Sequence, residues 1–178
     1  MANWYYLMSQ LPAISESAKE LPITENDFIN LCSRFLDKKT FNAIKSISLM
    51  PPLTKKTTGF DFLDKWYDYE RKLRIALGQI RALKMKKDFP IYDNISISIV
   101  QMARTATGFD SPLEAEIYLN KVRMNILNDI SPLDNFSTEA LFAYTLKLKL
   151  ICRMNLFTEK AGLESYRKIY DQILGETI

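Results

Sequence analysis

Residues 60–87, FDFLDKWYDYERKLRIALGQIRALKMKK, decide the fold class. Phe62, Trp66, Tyr69, Leu73, Ala76, Ile80 and Leu83 recur at spacings of four and three, which is the apolar seam of an α-helix. At a rise of 1.5 Å per residue, about 25 residues span roughly 37 Å, the length of a small domain. A seam that long must be covered by other helices. The spacing therefore predicts a helical bundle built around a long central helix.

The flanking sequence repeats the pattern in shorter pieces. Thr24 and Asp27 form a capping signal ahead of Phe28, Ile29, Cys32, Phe35 and Leu36. Asp37 caps a second short helix with Phe41, Ile44 and Ile47 inward, and Pro51–Pro52 ends it. Lys55 to Gly59 reads as an exposed connection. In 94–101, Ile95, Ile97 and Ile99 alternate with serines as in a strand, whereas continuation through Met102, Ala103 and Ala106 favours a helix; both readings stay open. Ser111-Pro112-Leu113-Glu114 supplies an N-cap, a proline at N1 and a glutamate at N3, with Leu119, Val122 and Ile126 continuing inward.

Residues 137–157 predict a second long helix. Leu141, Tyr144, Leu148, Ile151 and Cys152 share one face, and Leu146, Leu150 and Met154 broaden it enough to imply contacts on several sides. Lys147 and Lys149 are expected to snorkel. A last helix between Glu159 and Leu174 groups Leu163, Tyr166, Tyr170, Ile173 and Leu174, with Gly175 as its stop. The expectation is an all-α single domain over 1–178, with two long helices at about 60–87 and 137–157, several shorter ones, and a sub-boundary near 51–59.

Composition excludes more chemistry than it suggests. The chain has no histidine, which removes Ser-His-Asp and Cys-His relays and the usual zinc ligand. Cys32 and Cys152 sit in apolar helical patterns, as reduced buried thiols do, and cannot by themselves form a zinc site. Five scattered glycines match neither dinucleotide nor Walker spacing. Acid pairs such as Asp61/Asp64 or Glu114/Glu116 fit dipole stabilisation of a first helical turn better than acid–base catalysis. We expect no catalytic residues, cofactor, metal or small-molecule substrate. The apolar start, Met1 to Pro12, lacks a charged n-region and no apolar run approaches 18 residues, so the expectation is a cytoplasmic protein without membrane spans.

Charge is small in sum, +3, but polarised along the long helix. Asp61, Asp64, Asp68 and Glu70 occupy its first half; Arg71, Lys72, Arg74, Arg81, Lys84, Lys86 and Lys87 occupy the second. Dipole matching and the pairs Asp68–Lys72 and Glu70–Arg74 explain much of this. The alternatives are an acidic protein partner and, least favoured, nucleic acid along Arg81 to Lys87. Candidate partner-binding residues are Arg71, Arg74, Arg81, Lys84, Lys86 and Lys87, while Arg71 and Arg74 have the competing option of pairing with Glu70, Glu114 or Glu116. Trp66 and Tyr69 belong to the seam. Trp4, Tyr5 and Tyr6 are expected to be largely buried.

Tyr5-Tyr6-Leu7 with Leu11-Pro12, Trp66 to Arg74 with Arg81, Ser111 to Glu116, and Ala143-Tyr144 with Lys147-Leu148 resemble an uncharacterised bacterial family encoded beside V-type ATPase subunits. The helical pattern and Tyr144 to Ile151 are more distantly similar to the central-stalk cap of V-type ATPases, the helical piece that joins rotor shaft to membrane ring. This chain is too short for the three helical lobes of that cap. The resemblance implies a non-catalytic accessory or central-stalk component without a nucleotide site. It would contact stalk or membrane-ring subunits and reach the cytoplasmic face of the membrane only through them. A general helical interaction module is the alternative.

Overall fold

A computed structural model describes residues 4–14, 21–52, 57–90, 94–156 and 159–175. These form α1 (Trp4–Gln10), α2 (Glu25–Phe35), α3 (Lys38–Ser46), α4 (Asp61–Lys84), α5 (Ile97–Gly108), α6 (Pro112–Ile130), α7 (Thr138–Asn155) and α8 (Glu159–Gly175). Among the described residues there is no strand. The long helices predicted at about 60–87 and 137–157 are α4 and α7. The 94–101 ambiguity resolves to a helix: Ile97 opens α5 and Ile99 packs inward, because the 3.6-residue period continues through Ala103 and Ala106.

The polar residues at the helix starts act as the sequence implies. Thr24 Oγ1 accepts from Asp27 N at 3.1 Å, Asp37 accepts from Lys39 N and Thr40 N, and Ser111 and Ser137 cap α6 and α7. α4 lacks a side-chain cap at Phe60; instead Asp64 Oδ1 takes both the N–H and the hydroxyl of Thr58, at 2.8 and 2.9 Å. Gly59, at φ +83°, makes the turn that lets Thr58 reach Asp64. Residues 55–56 of the expected connection lie outside the described residues; 57–59 are irregular. Described residues before this stretch bond to α4: Ser48 N donates to Tyr67 Oη, and Arg71 Nη2 to the Pro52 carbonyl.

Two apolar clusters share α4 and α6. The larger gathers Leu7, Phe28, Cys32, Ile44, Phe62, Trp66 and most of α7; the smaller gathers Leu73, Ala76, Leu77, Ile99, Ala103, Ala106 and Leu119. α7 is buried around most of its girth, including Leu146, Leu148 and Leu150, as its broad apolar pattern requires. Covering of the α4 seam stops before its end, however: Ile80 packs against the smaller cluster, whereas Leu83 is 75% exposed.

α4 also ends earlier than expected. Lys87 N donates to Ala82 O at 2.9 Å across a turn in which Lys86 adopts φ 53°, so Lys86 and Lys87 are off the helix. A left-handed lysine costs about 1–2 kcal/mol, and glycine raises unfolded-chain entropy by somewhat less. Lys86→Gly should therefore gain about 0.5–1 kcal/mol in urea denaturation; an equal or lower midpoint would show that the turn is not strained.

Burial also holds protons on several groups, Cys152 included. It pushes the Cys32 thiol and the Tyr144 and Tyr69 hydroxyls up to about 12, from 9.0 for the cysteine and 10.0 for the tyrosines. Tyr144 Oη donates to the Pro12 carbonyl at 2.9 Å, and Tyr69 Oη to Met102 Sδ at 3.3 Å. The unfolded chain releases these protons at about pH 9–10, the folded chain only near 12. This contribution is thus complete below about pH 9 and is lost as pH rises to about 12. Urea midpoints measured from about pH 8 to 12 should fall, and Cys32→Val should make the fall shallower while the Cys152 thiol, also raised by burial, keeps its onset in the ordinary thiol range. An unchanged slope would mean that the Cys32 thiol ionises in the folded state.

Candidate functional site

The six predicted basic residues are not all presented alike. Arg71 is turned to the Pro52 carbonyl, 2.9 Å away. Arg74 Nε donates to Glu70 Oε1 at 2.8 Å, as the i,i+4 spacing allows. Lys84 Nζ donates to the Thr107 carbonyl at the end of α5. Lys86 and Lys87 lie beyond the helix, and Arg81 is exposed. Arg74 and Arg81 line one cleft, of about 280 Å³, with Glu116, Arg123 and Arg153 on the facing helices, and Arg71 and Arg74 line another beside Pro51 and Pro52.

Beneath that cleft is an ion cluster that joins the two apolar clusters. Glu70 is 0% and Arg123 4% exposed. Arg123 grips Glu70 through two parallel bonds, Nε to Oε2 at 3.0 Å and Nη2 to Oε1 at 3.1 Å. Its Nη1 reaches Asn120 Oδ1 at 3.1 Å and Glu116 Oε1 at 3.4 Å, and Arg153 Nη2 meets the same Glu116 oxygen at 2.5 Å. Three helices, α4, α6 and α7, are thereby crosslinked. Glu116 serves Arg123 and Arg153; it is not the partner of Arg71 or Arg74, a pairing that sequence alone leaves open.

Two surfaces are apolar and open. α8 carries Leu163, Tyr166, Tyr170, Ile173 and Leu174 on one face as expected, joined by Ile169, yet each is 49–63% exposed. Among the described residues α8 packs substantially against none of the other helices. The second surface corrects the expected burial of the N-terminal aromatics. Tyr5 and Tyr6 are 70% and 65% exposed, because seven-residue α1 has one inward face and Leu7 takes it. Tyr5 contacts Phe136 at 5.2 Å between centroids. The side chain of Trp4 lies outside the described residues.

No helix is long and apolar enough to cross a membrane, and no group of three or more His, Cys, Asp or Glu is placed to hold a metal ion, both among the described residues. A family described as "Protein of unknown function (DUF2764)" matches residues 107–177, which run from the end of α5 through α8. That span includes Glu116, Arg123, Arg153 and the open face of α8, but not Glu70, Arg74 or Arg81. No curated protein and no solved structure matches the chain.

Proposed function

We propose that this chain is a non-catalytic accessory or central-stalk component of a V-type ATPase, working through protein–protein contacts made by the apolar face of α8. The observation that carries the docking role is the exposure of six large apolar side chains on a helix otherwise equipped to pack. A stripe recurring at 163, 166, 170 and 173 is the pattern one helix presents to another. The choice of a rotary ATPase as partner rests on the sequence resemblance carried by Trp66 to Arg74, Ser111 to Glu116 and Ala143 to Leu148.

Native affinity capture of the tagged full chain tests it. V-type ATPase stalk or ring subunits should be recovered, and an Ile169→Glu/Tyr170→Glu variant with an unchanged melting temperature should lose them. Capture of unrelated helical proteins by the same face would favour a general interaction module. Recovery of ATPase subunits undiminished by the double variant would reject α8 as the contact. Nucleic-acid binding that weakens steeply with salt would point instead to Arg81, Lys84 and their neighbours.

A further inference from the structure

We propose that the cleft between α4, α6 and α7 binds a tetrahedral oxyanion of the phosphate class, independently of any docking by α8. Its charge points that way. Arg74, Arg81, Arg123 and Arg153 line the cleft against Glu116, with Glu70 beneath, so the cleft's own lining carries four guanidinium groups and one carboxylate.

The cations are also preorganised. Glu70 fixes Arg74 and Arg123, and Glu116 fixes Arg123 and Arg153, so three cations are held on three separate helices before any ligand arrives. Arg74 uses only Nε on Glu70, which leaves its terminal N–H edge uncommitted among the described residues. Arg81, about two turns further along α4, forms no ion pair among the described residues and stands at the mouth of the cleft.

Shape agrees with charge. The cleft of about 280 Å³ holds an orthophosphate with room for bridging water. Donors converge from α4, α6 and α7, an arrangement that suits acceptor oxygens pointing in several directions. A carboxylate presents two coplanar oxygens and is better met by a single guanidinium fork. A dianion also suits a lining in which guanidinium groups outnumber carboxylates.

The full-length protein should show a higher melting temperature in millimolar inorganic phosphate than in chloride of equal ionic strength, and calorimetry should give one site. Phosphate stabilises many proteins by exclusion from their surfaces, so the variants decide. Arg81→Gln breaks no ion pair among the described residues and should fold normally while weakening phosphate about tenfold, the loss expected for one charge-assisted contact. Arg74→Gln, which leaves the Glu70–Arg123 pair in place, should weaken it similarly. An equal phosphate effect in the wild type and Arg81→Gln overturns the proposal. So does an equal effect of succinate, which would assign the cleft to carboxylates.

Discussion

Replacing Arg123 with methionine is expected to lower folding stability by about 3–5 kcal/mol, the cost of removing one partner from a buried ion pair. Glu70 is fully buried, and two of its three cationic contacts come from Arg123. Without them the carboxylate keeps only Arg74, whose side chain is about a third exposed and approaches from the solvent side. The methionine fills much of the space but offers no donor, so the loss is electrostatic. Replacing both residues, Glu70→Leu with Arg123→Met, should recover most of it, because the desolvation cost of both charges disappears together. Arg74, left alone, can turn to water. Urea denaturation of the two single variants and the double variant measures the coupling. A loss below about 1 kcal/mol for Arg123→Met would show that water reaches Glu70.

Much of the scaffold is legible from local chemistry. Thr24, Asp37, Ser111 and Ser137 sit where helices begin because each offers an oxygen to an otherwise unpaired N–H, a property of a few adjacent residues. The ion cluster is harder to read. A seam traced through 66, 69, 73 and 76 passes over Glu70, which lies four after Trp66 and three before Leu73, on the same buried side. A carboxylate there calls for a buried cation. On α6, Glu116, Asn120 and Arg123 follow at four and three, beside Leu119 and Leu127, and form a polar strip on an inward face. The spacing indicates that the strip exists; only the packing of α4 on α6 says that it meets Glu70. The six basic residues are presented differently for a related reason. Like charges adjacent in sequence share a surface only while the helix continues and its side chains face water. Lys86 in its left-handed turn ends the helix, and Arg71 and Lys84 are drawn to carbonyls on neighbouring segments.

Periodicity also cannot distinguish a face already covered from one still open, and α7 and α8 make that difference measurable. Leu148 and Ile169 both occupy apolar helical positions, but Leu148 is 0% exposed and Ile169 is 58% exposed. Leu148→Ala should cost about 2–5 kcal/mol, since it empties a volume inside the larger apolar cluster. Ile169→Ala removes a similar volume from a surface in water, and alanine is the better helix former by a few tenths of a kcal/mol, so its effect should stay within about 0.5 kcal/mol of zero. Chemical denaturation of the isolated protein compares the two directly. Equal losses at both positions would mean that α8 is covered in solution, and its role as a docking helix would fall. The predicted contrast makes α8 a helix whose apolar face contributes little to the stability of its own chain, which leaves that face's transfer free energy available to whatever protein covers it.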